Sequence, residues 1–229
     1  MIAHSLFPTL ICEFEYPKPK DFKKSFLKDI WNHMDPNGYS MEYTGHLSIH
    51  HEESFYPFFT YITVCVKQYL DRLSVDHSLF DINIVKTWMN ITSTRSTPTH
   101  THADAHIAFT YYVHMPDEVR KPIQFYNYVN RYEPYPGCCK FNNTNNNWDE
   151  FNSYVWKFWP KEGDIFVFPA TVPHDTVSET QDEETGVFNV DQMLNKRVCL
   201  AGDIVLTYKK NTAQPMGLQP ISNWRNFSP

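Results

Sequence analysis

Ile107-Ala-Phe-Thr-Tyr-Tyr-Val113 is an apolar, β-branched and aromatic run with no charge to place on a solvated face, so it reads as a strand buried in a sheet. Directly before it stands His100-Thr-His-Ala-Asp-Ala-His106. In extended backbone alternate side chains share a face, which would aim His100, His102, Asp104 and His106 to one side. Imidazole and carboxylate suit divalent iron, zinc, manganese or nickel. A ligand-bearing turn that runs into a core strand is a rigid mount for such an ion. Taken alone, the same residues also fit a polar surface loop ahead of an ordinary strand, so the rest of the chain has to decide.

A length of 229 residues suits one domain with a full core. Aromatic content of 16%, with 16 Pro against 7 Gly, favours strands and loops over a helical bundle. Lys and Arg number 20, Asp and Glu 26, for a formal charge of −6 with no basic block, so phosphate-driven nucleic-acid binding has little support. The five cysteines (Cys12, Cys65, Cys138, Cys139 and Cys199) are odd in number and scattered. They read as reduced thiols of a cytoplasmic-type compartment. The N-terminus lacks a charged segment followed by a long apolar run, and the longest apolar stretch, Phe55 to Val66, contains Pro57 and is too short to span a bilayer. Neither a signal peptide nor a membrane segment is expected.

Phe7 to Tyr16 reads as a first strand, ended by Pro17-Lys-Pro19. Phe22, Phe26, Leu27 and Ile30 are spaced for a helix over Asp21 to Trp31, and Phe58, Ile62, Cys65, Val66, Tyr69, Leu70 and Leu73 for a second, more buried helix over Glu53 to Leu73. From Phe80 the character changes to strands. Asp81 to Asn90 alternates well, a Ser/Thr/Pro loop leads to the histidines, and Ile123 to Asn127 is another strand. Arg131 to Asn147 is Pro-, Gly- and Asn-rich and reads as a surface excursion, and Cys138-Cys139 within it has no partner pair nearby. Gly163-Asp164 suits a tight turn, Ile165 to Phe168 a core strand, and Pro169 with Pro173 a fixed loop presenting His174. After an acidic loop, Asn195 to Tyr208 reads as the last strand, opened by Arg197 among residues that otherwise look buried.

A His-x-His-x-Asp turn before one strand, a Pro-presented His after another and an Arg heading a third therefore occur in order. In this the chain resembles the 2-oxoglutarate- and Fe(II)-dependent oxygenases, in particular a group of bacterial and phage-borne members. That group begins with Leu-Phe-Pro-x-x-Ile, here Leu6-Phe7-Pro8-Thr9-Leu10-Ile11, and carries Trp-x-Asn, here Trp88-Met89-Asn90. Its His-x-His, four spacers and Leu-Ser-Gly-x-Tyr-Tyr-Val correspond to His100-Thr-His102 and Ile107 to Val113. Its Gly-Asp-x-x-x-Phe-Pro followed by His matches Gly163-Asp164, Phe168-Pro169 and His174. Its Arg-Ile-Ser-Ile-x-Phe-Asn-Ile corresponds to Arg197 to Ile204. The chain departs from the group at Ala108-Phe109 in place of Ser-Gly, at Cys199 in place of Ser, and at Gly202-Asp203 in place of Phe-Asn. The interval between His174 and Arg197 is also stretched by an insertion over 179–196.

The resemblance implies a mainly β (α+β) fold: a double-stranded β-helix, or jelly-roll, with N-terminal buttressing helices. It spans one domain over 1–229, with the strand and helices in 1–79, the core in 80–208 and a tail in 209–229. It implies Fe(II), 2-oxoglutarate and dioxygen as metal, co-substrate and oxidant, and hydroxylation of a small molecule or peptide with succinate and carbon dioxide as co-products. The superfamily's two-His, one-carboxylate rule selects His102, Asp104 and His174 as ligands, whereas the resembling group's register selects His100, His102 and His174. Arg197 is expected to receive the distal carboxylate of 2-oxoglutarate, with Tyr112, Trp88 and Asn90 as weaker candidates for the same pocket. The rival reading is a cupin-type metal protein that does not use 2-oxoglutarate; it wants a Glu soon after His-x-His and gives Arg197 no special role. A metal-free jelly-roll is the third. Cytoplasmic location is expected, in the host cell if the chain is phage-borne.

Overall fold

The computed structural model describes residues 8–17, 23, 26–29, 48–92, 97–116, 121–126, 153, 155–176, 196–210, 212 and 217–227. Nine strands occur among them: β1 (Cys12–Glu15), β2 (Phe80–Thr92), β3 (Thr97–His100), β4 (Ile107–His114), β5 (Ile123–Tyr126), β6 (Val155–Phe158), β7 (Asp164–Pro169), β8 (His174–Thr176) and β9 (Arg197–Tyr208). They form a five-stranded sheet in the order β1-β7-β4-β9-β2 and a four-stranded sheet in the order β3-β8-β5-β6. Every strand pairing within the sheets is antiparallel. From β2 to β5 and again from β6 to β9 each successive strand crosses to the other sheet, giving the double-stranded β-helix.

Alternation along the strands divides the larger sheet into two buried faces. Ala108 and Tyr112 of β4, Phe166 and Phe168 of β7 and Cys199 of β9 pack in one cluster with Ile123 and Phe125 of the smaller sheet. Phe109, Tyr111 and Val113 of β4, Ile165 and Val167 of β7, and Val198, Leu200 and Ile204 of β9 belong to the other, together with the helix α1 (Tyr56–Arg72). Because both faces are covered, β4 is buried from Ile107 to Val113, which is why its sequence shows no polar alternation. The helix buries Phe58, Phe59, Ile62, Cys65, Val66, Tyr69 and Leu70. It starts three residues later than its periodicity suggests, behind the 3-10 turn Glu53–Phe55, with Pro57 in its first turn where a missing N–H costs nothing.

Lys23 and Phe26 to Asp29 are helical, and Phe26 and Leu27 are buried, with the Phe26 ring edge-on to Phe55 at 4.8 Å; the rest of the predicted Asp21 to Trp31 helix lies outside the described residues. The first strand is shorter than expected, because Pro8 to Ile11 are not in the ladder and β1 pairs with β7 over only four residues. In the segment read as a loop before the histidines, Thr97–His100 is a strand, paired to β8. The Arg131 to Asn147 excursion, Cys138-Cys139 and the insertion up to residue 195 lie outside the described residues. Cys12, Cys65 and Cys199 are free thiols. Among the described residues no helix is long and apolar enough to cross a membrane.

Candidate metal centre

The two sheets face each other across a cavity of about 620 Å³ whose lining includes His100, His102, His174, Arg197, Tyr112 and Asn90. His100 closes β3 and His174 opens β8, and the two are direct partners across that ladder. His102 arrives from the turn between β3 and β4. Its backbone N–H donates to Ala170 O at 2.9 Å, and Ala170 N–H donates back to His106 O at 3.1 Å. These bonds tie the histidine turn to the loop that presents His174.

Each histidine is oriented by its Nδ1. His100 Nδ1 bonds Pro98 O at 2.8 Å, His174 Nδ1 bonds Val172 O at 2.9 Å, and His102 Nδ1 bonds Asp203 Oδ1 at 2.5 Å. Carbonyl and carboxylate oxygens only accept, so each Nδ1 carries a proton, and in the neutral imidazole that a metal requires Nε2 is the atom with the lone pair. The potential ligand atoms of the three residues lie within 4.8 Å of one another, and His102 Nε2 is 3.3 Å from His174 Nε2. Two lone pairs so placed repel unless a cation sits between them. Two metal–nitrogen bonds of roughly 2.0–2.1 Å hold their nitrogens roughly 2.8–3.4 Å apart for angles from octahedral to tetrahedral, so the spacing fits a shared ion. Burial, then the neighbouring histidine charges, holds His174 down to about 3, and burial also lowers His100. Both are therefore neutral, the form that coordinates metal, at ordinary pH.

Four same-face side chains were expected from an extended backbone, and the structure differs. The chain leaves the strand after His100 and turns at Ala103 and Asp104. Asp104 lies exposed at the cavity rim, outside the three-histidine group. His106 is also exposed, and its Nδ1 accepts from Leu206 N–H at 3.0 Å.

Away from the histidines the cavity is lined by Arg197, Tyr112, Thr110 and Cys199. Arg197 is 5% exposed; its Nη2 donates to Tyr112 OH at 3.4 Å and its guanidinium lies 5.0 Å from the Tyr112 ring centre. Its Nε is buried without a hydrogen-bond partner. Among the described residues no carboxylate forms an ion pair with it. A buried cation left in this way is costly unless an anion joins it. Burial and then the Arg197 charge push Lys121 down to about 8, so the positive field extends beyond one residue. Thr110 Oγ1 lies 2.6 Å from Cys199 Sγ. Asn90 lines the cavity opposite Cys199 in the β2–β9 ladder.

Trp88, a weaker pocket candidate in the sequence, lies against the site, and one contributor, Asp203, escaped the sequence reading. Trp88 stacks on His102 with ring centres 5.4 Å apart, and Asp203 bonds the same histidine. Asp203 had a signal: it is a carboxylate inside the otherwise apolar Val198 to Leu206 stretch, and such a group is buried only with a partner.

Residues 86–189 match the family model described as "Putative 2OG-Fe(II) oxygenase". No curated protein sequence matches the chain. Among solved structures, the non-haem α-ketoglutarate-dependent epimerase SnoN of nogalamycin biosynthesis is similar at a TM-score of 0.53 and 11% identity, over 93% of this chain and 91% of that one. A Pseudomonas putida prolyl-4-hydroxylase is similar at a TM-score of 0.48 and 10% identity, over 88% and 95%. The SnoN likeness agrees with the double-stranded β-helix traced above. The matched stretch, which is similar to a 2OG-Fe(II) oxygenase domain, contains His100, His102 and His174, whereas Arg197 lies beyond it.

Proposed function

We propose that the chain hydroxylates a small-molecule or peptide substrate, with His100, His102 and His174 holding the iron and Arg197 receiving the distal carboxylate of 2-oxoglutarate. The observation that carries the ligand set is the shared orientation of the three imidazoles, each with Nδ1 bonded outward and Nε2 left for a metal. Asp104, exposed on the turn, is the weaker third ligand. When bound, iron with 2-oxoglutarate and dioxygen supplies the oxidising power, and succinate and carbon dioxide leave as co-products.

The protein's own residues do the orienting. His100, His102 and His174 line the same cavity as Arg197 and would hold the metal there. Arg197 offers a fork of donors whose Nε is unused within the protein, suited to a carboxylate. Tyr112 holds that fork from one side, and burial keeps its phenol well above its ordinary pKa, so it stays a neutral donor. Phe168 and Ile123 supply apolar lining to the cavity, backed by Phe166 of the same buried cluster.

The test is anaerobic addition of Fe(II) and 2-oxoglutarate. A visible charge-transfer band is expected, lost in His102→Ala and His174→Ala and weakened in Arg197→Ala. Absence of the band in iron-loaded wild-type protein would refute the co-substrate role, and retention of iron by His100→Ala but not Asp104→Ala would replace His100 with Asp104. Screening candidate substrates for stimulated succinate release then identifies what is hydroxylated.

A further inference from the structure

We infer that Asp203 is a positioning residue for the metal, supplying through His102 the negative charge that a three-histidine site lacks; this rests on the ligand set proposed above. Three neutral imidazoles bring no charge to a divalent ion, whereas the common two-His, one-carboxylate arrangement brings one. Asp203 is 5% exposed and His102 9%, and they meet at 2.5 Å in the cavity wall. A carboxylate bonded to the outer nitrogen of a ligating histidine fixes its tautomer and makes the inner nitrogen more basic.

The other two histidines show what is specific to this one. His100 and His174 bond backbone carbonyls two residues away in their own chain segments, Pro98 O and Val172 O. His102 instead bonds a side chain from β9, 101 positions further along the chain. Trp88 of β2 stacks on the His102 ring, so the ring is held at its edge by Asp203 and across a face by Trp88. A merely structural pairing would need only an uncharged acceptor here. The resembling oxygenases carry an amide at this position, which makes the carboxylate a feature of this chain.

The experiment uses full-length protein, cleared of metal with a chelator and titrated with Co(II) or anaerobic Fe(II) against a chromophoric competitor. Asp203→Asn keeps an acceptor oxygen and removes the charge. It is expected to weaken metal binding roughly 10–100-fold and to shift the d–d bands of the Co(II)-saturated protein, while the metal-free protein keeps its circular dichroism. Asp203→Glu restores a carboxylate and should recover part of the affinity; it also serves if the Asn variant fails to fold. Wild-type affinity and unmoved Co(II) bands in Asp203→Asn would overturn the inference. His102→Ala separates the two readings: if it binds metal normally, the ligand set fails, whereas if it loses metal while Asp203→Asn does not, only the role of Asp203 fails.

Discussion

Phe109 of β4 and Gly202 of β9 are direct cross-strand partners, and a Cβ built on Gly202 would stand 2.5 Å from Phe109 Cε1 and 2.9 Å from Lys86 O. The resembling oxygenases carry Gly at the first position and Phe at the second. Together, the two departures would be one exchange of a ring between the strands. In this chain the Phe109 ring fills the space over the ladder, and the strand that does not supply a ring is bare at Gly202.

This exchange predicts strong coupling. Phe109→Gly removes a ring that is 1% exposed and should cost about 3–5 kcal/mol or more. Gly202→Phe alone forces a second ring into filled space and should cost at least about 1–3 kcal/mol. The double variant, which moves the ring from β4 to β9, should be far more stable than the sum of the two losses implies. Urea midpoints of the four proteins measure this, and additivity within about 0.5 kcal/mol would refute the exchange.

What was legible beforehand follows the same division between local and distant causes. His174 and Arg197 could be read because their placement is local: Pro169 and Pro173 punctuate one, and the apolar strand behind Arg197 marks the other. The strand Thr97–His100 could not, since it is polar, contains Pro98, and owes its state to pairing with β8, more than 70 positions away. Asp104, selected by the two-His, one-carboxylate rule, was placed on the face of the histidines by an alternation that holds only while backbone stays extended. Hydrogen bonds from Ala170 and to Ile204 pin the 102–106 segment as a turn, and no local pattern encodes them. Asp203 announced that it needed a partner but not which one.

Metal should stabilise the fold through the three histidines together. At a free concentration one hundred times its dissociation constant, Fe(II) or Ni(II) should add about 2.7 kcal/mol, seen as a rise in the denaturation midpoint that a chelator reverses. Asp104→Ala should keep the rise, because Asp104 is exposed outside the histidine group. His174→Ala should lose it. A rise surviving in His174→Ala would place the ion elsewhere.

Arg197 should control co-substrate affinity without controlling iron. A charge-assisted hydrogen bond contributes about 1.5–3 kcal/mol, so Arg197→Met should weaken 2-oxoglutarate roughly 10–100-fold while iron affinity stays unchanged. Arg197→Lys should recover only part of this, since a point charge cannot copy the fork. Tyr112→Phe removes the hydroxyl that Arg197 Nη2 donates to at 3.4 Å and should have a smaller effect. Titrations of the iron-loaded variants measure all three, and unchanged 2-oxoglutarate affinity in Arg197→Met would move the carboxylate to another cation.

Acid should destabilise the metal-free protein through the same histidines that hold the ion. His174 is held at about 3 in the folded chain, chiefly by burial, against about 6.5 when unfolded. Its folded pKa is the lower one, so between these values the unfolded state binds more protons and stability rises with pH. The contribution is whole above about pH 6.5, declines by up to about 1.4 kcal/mol per pH unit below it, and levels off near the folded value. His100, lowered in the same direction, adds to the slope. Chelator-treated protein unfolded in urea between pH 7.5 and pH 4.5 should therefore lose stability more steeply than His174→Gln, whose amide does not titrate. Equal slopes for the two proteins would mean that the His174 imidazole charges as readily folded as unfolded, which its burial opposes.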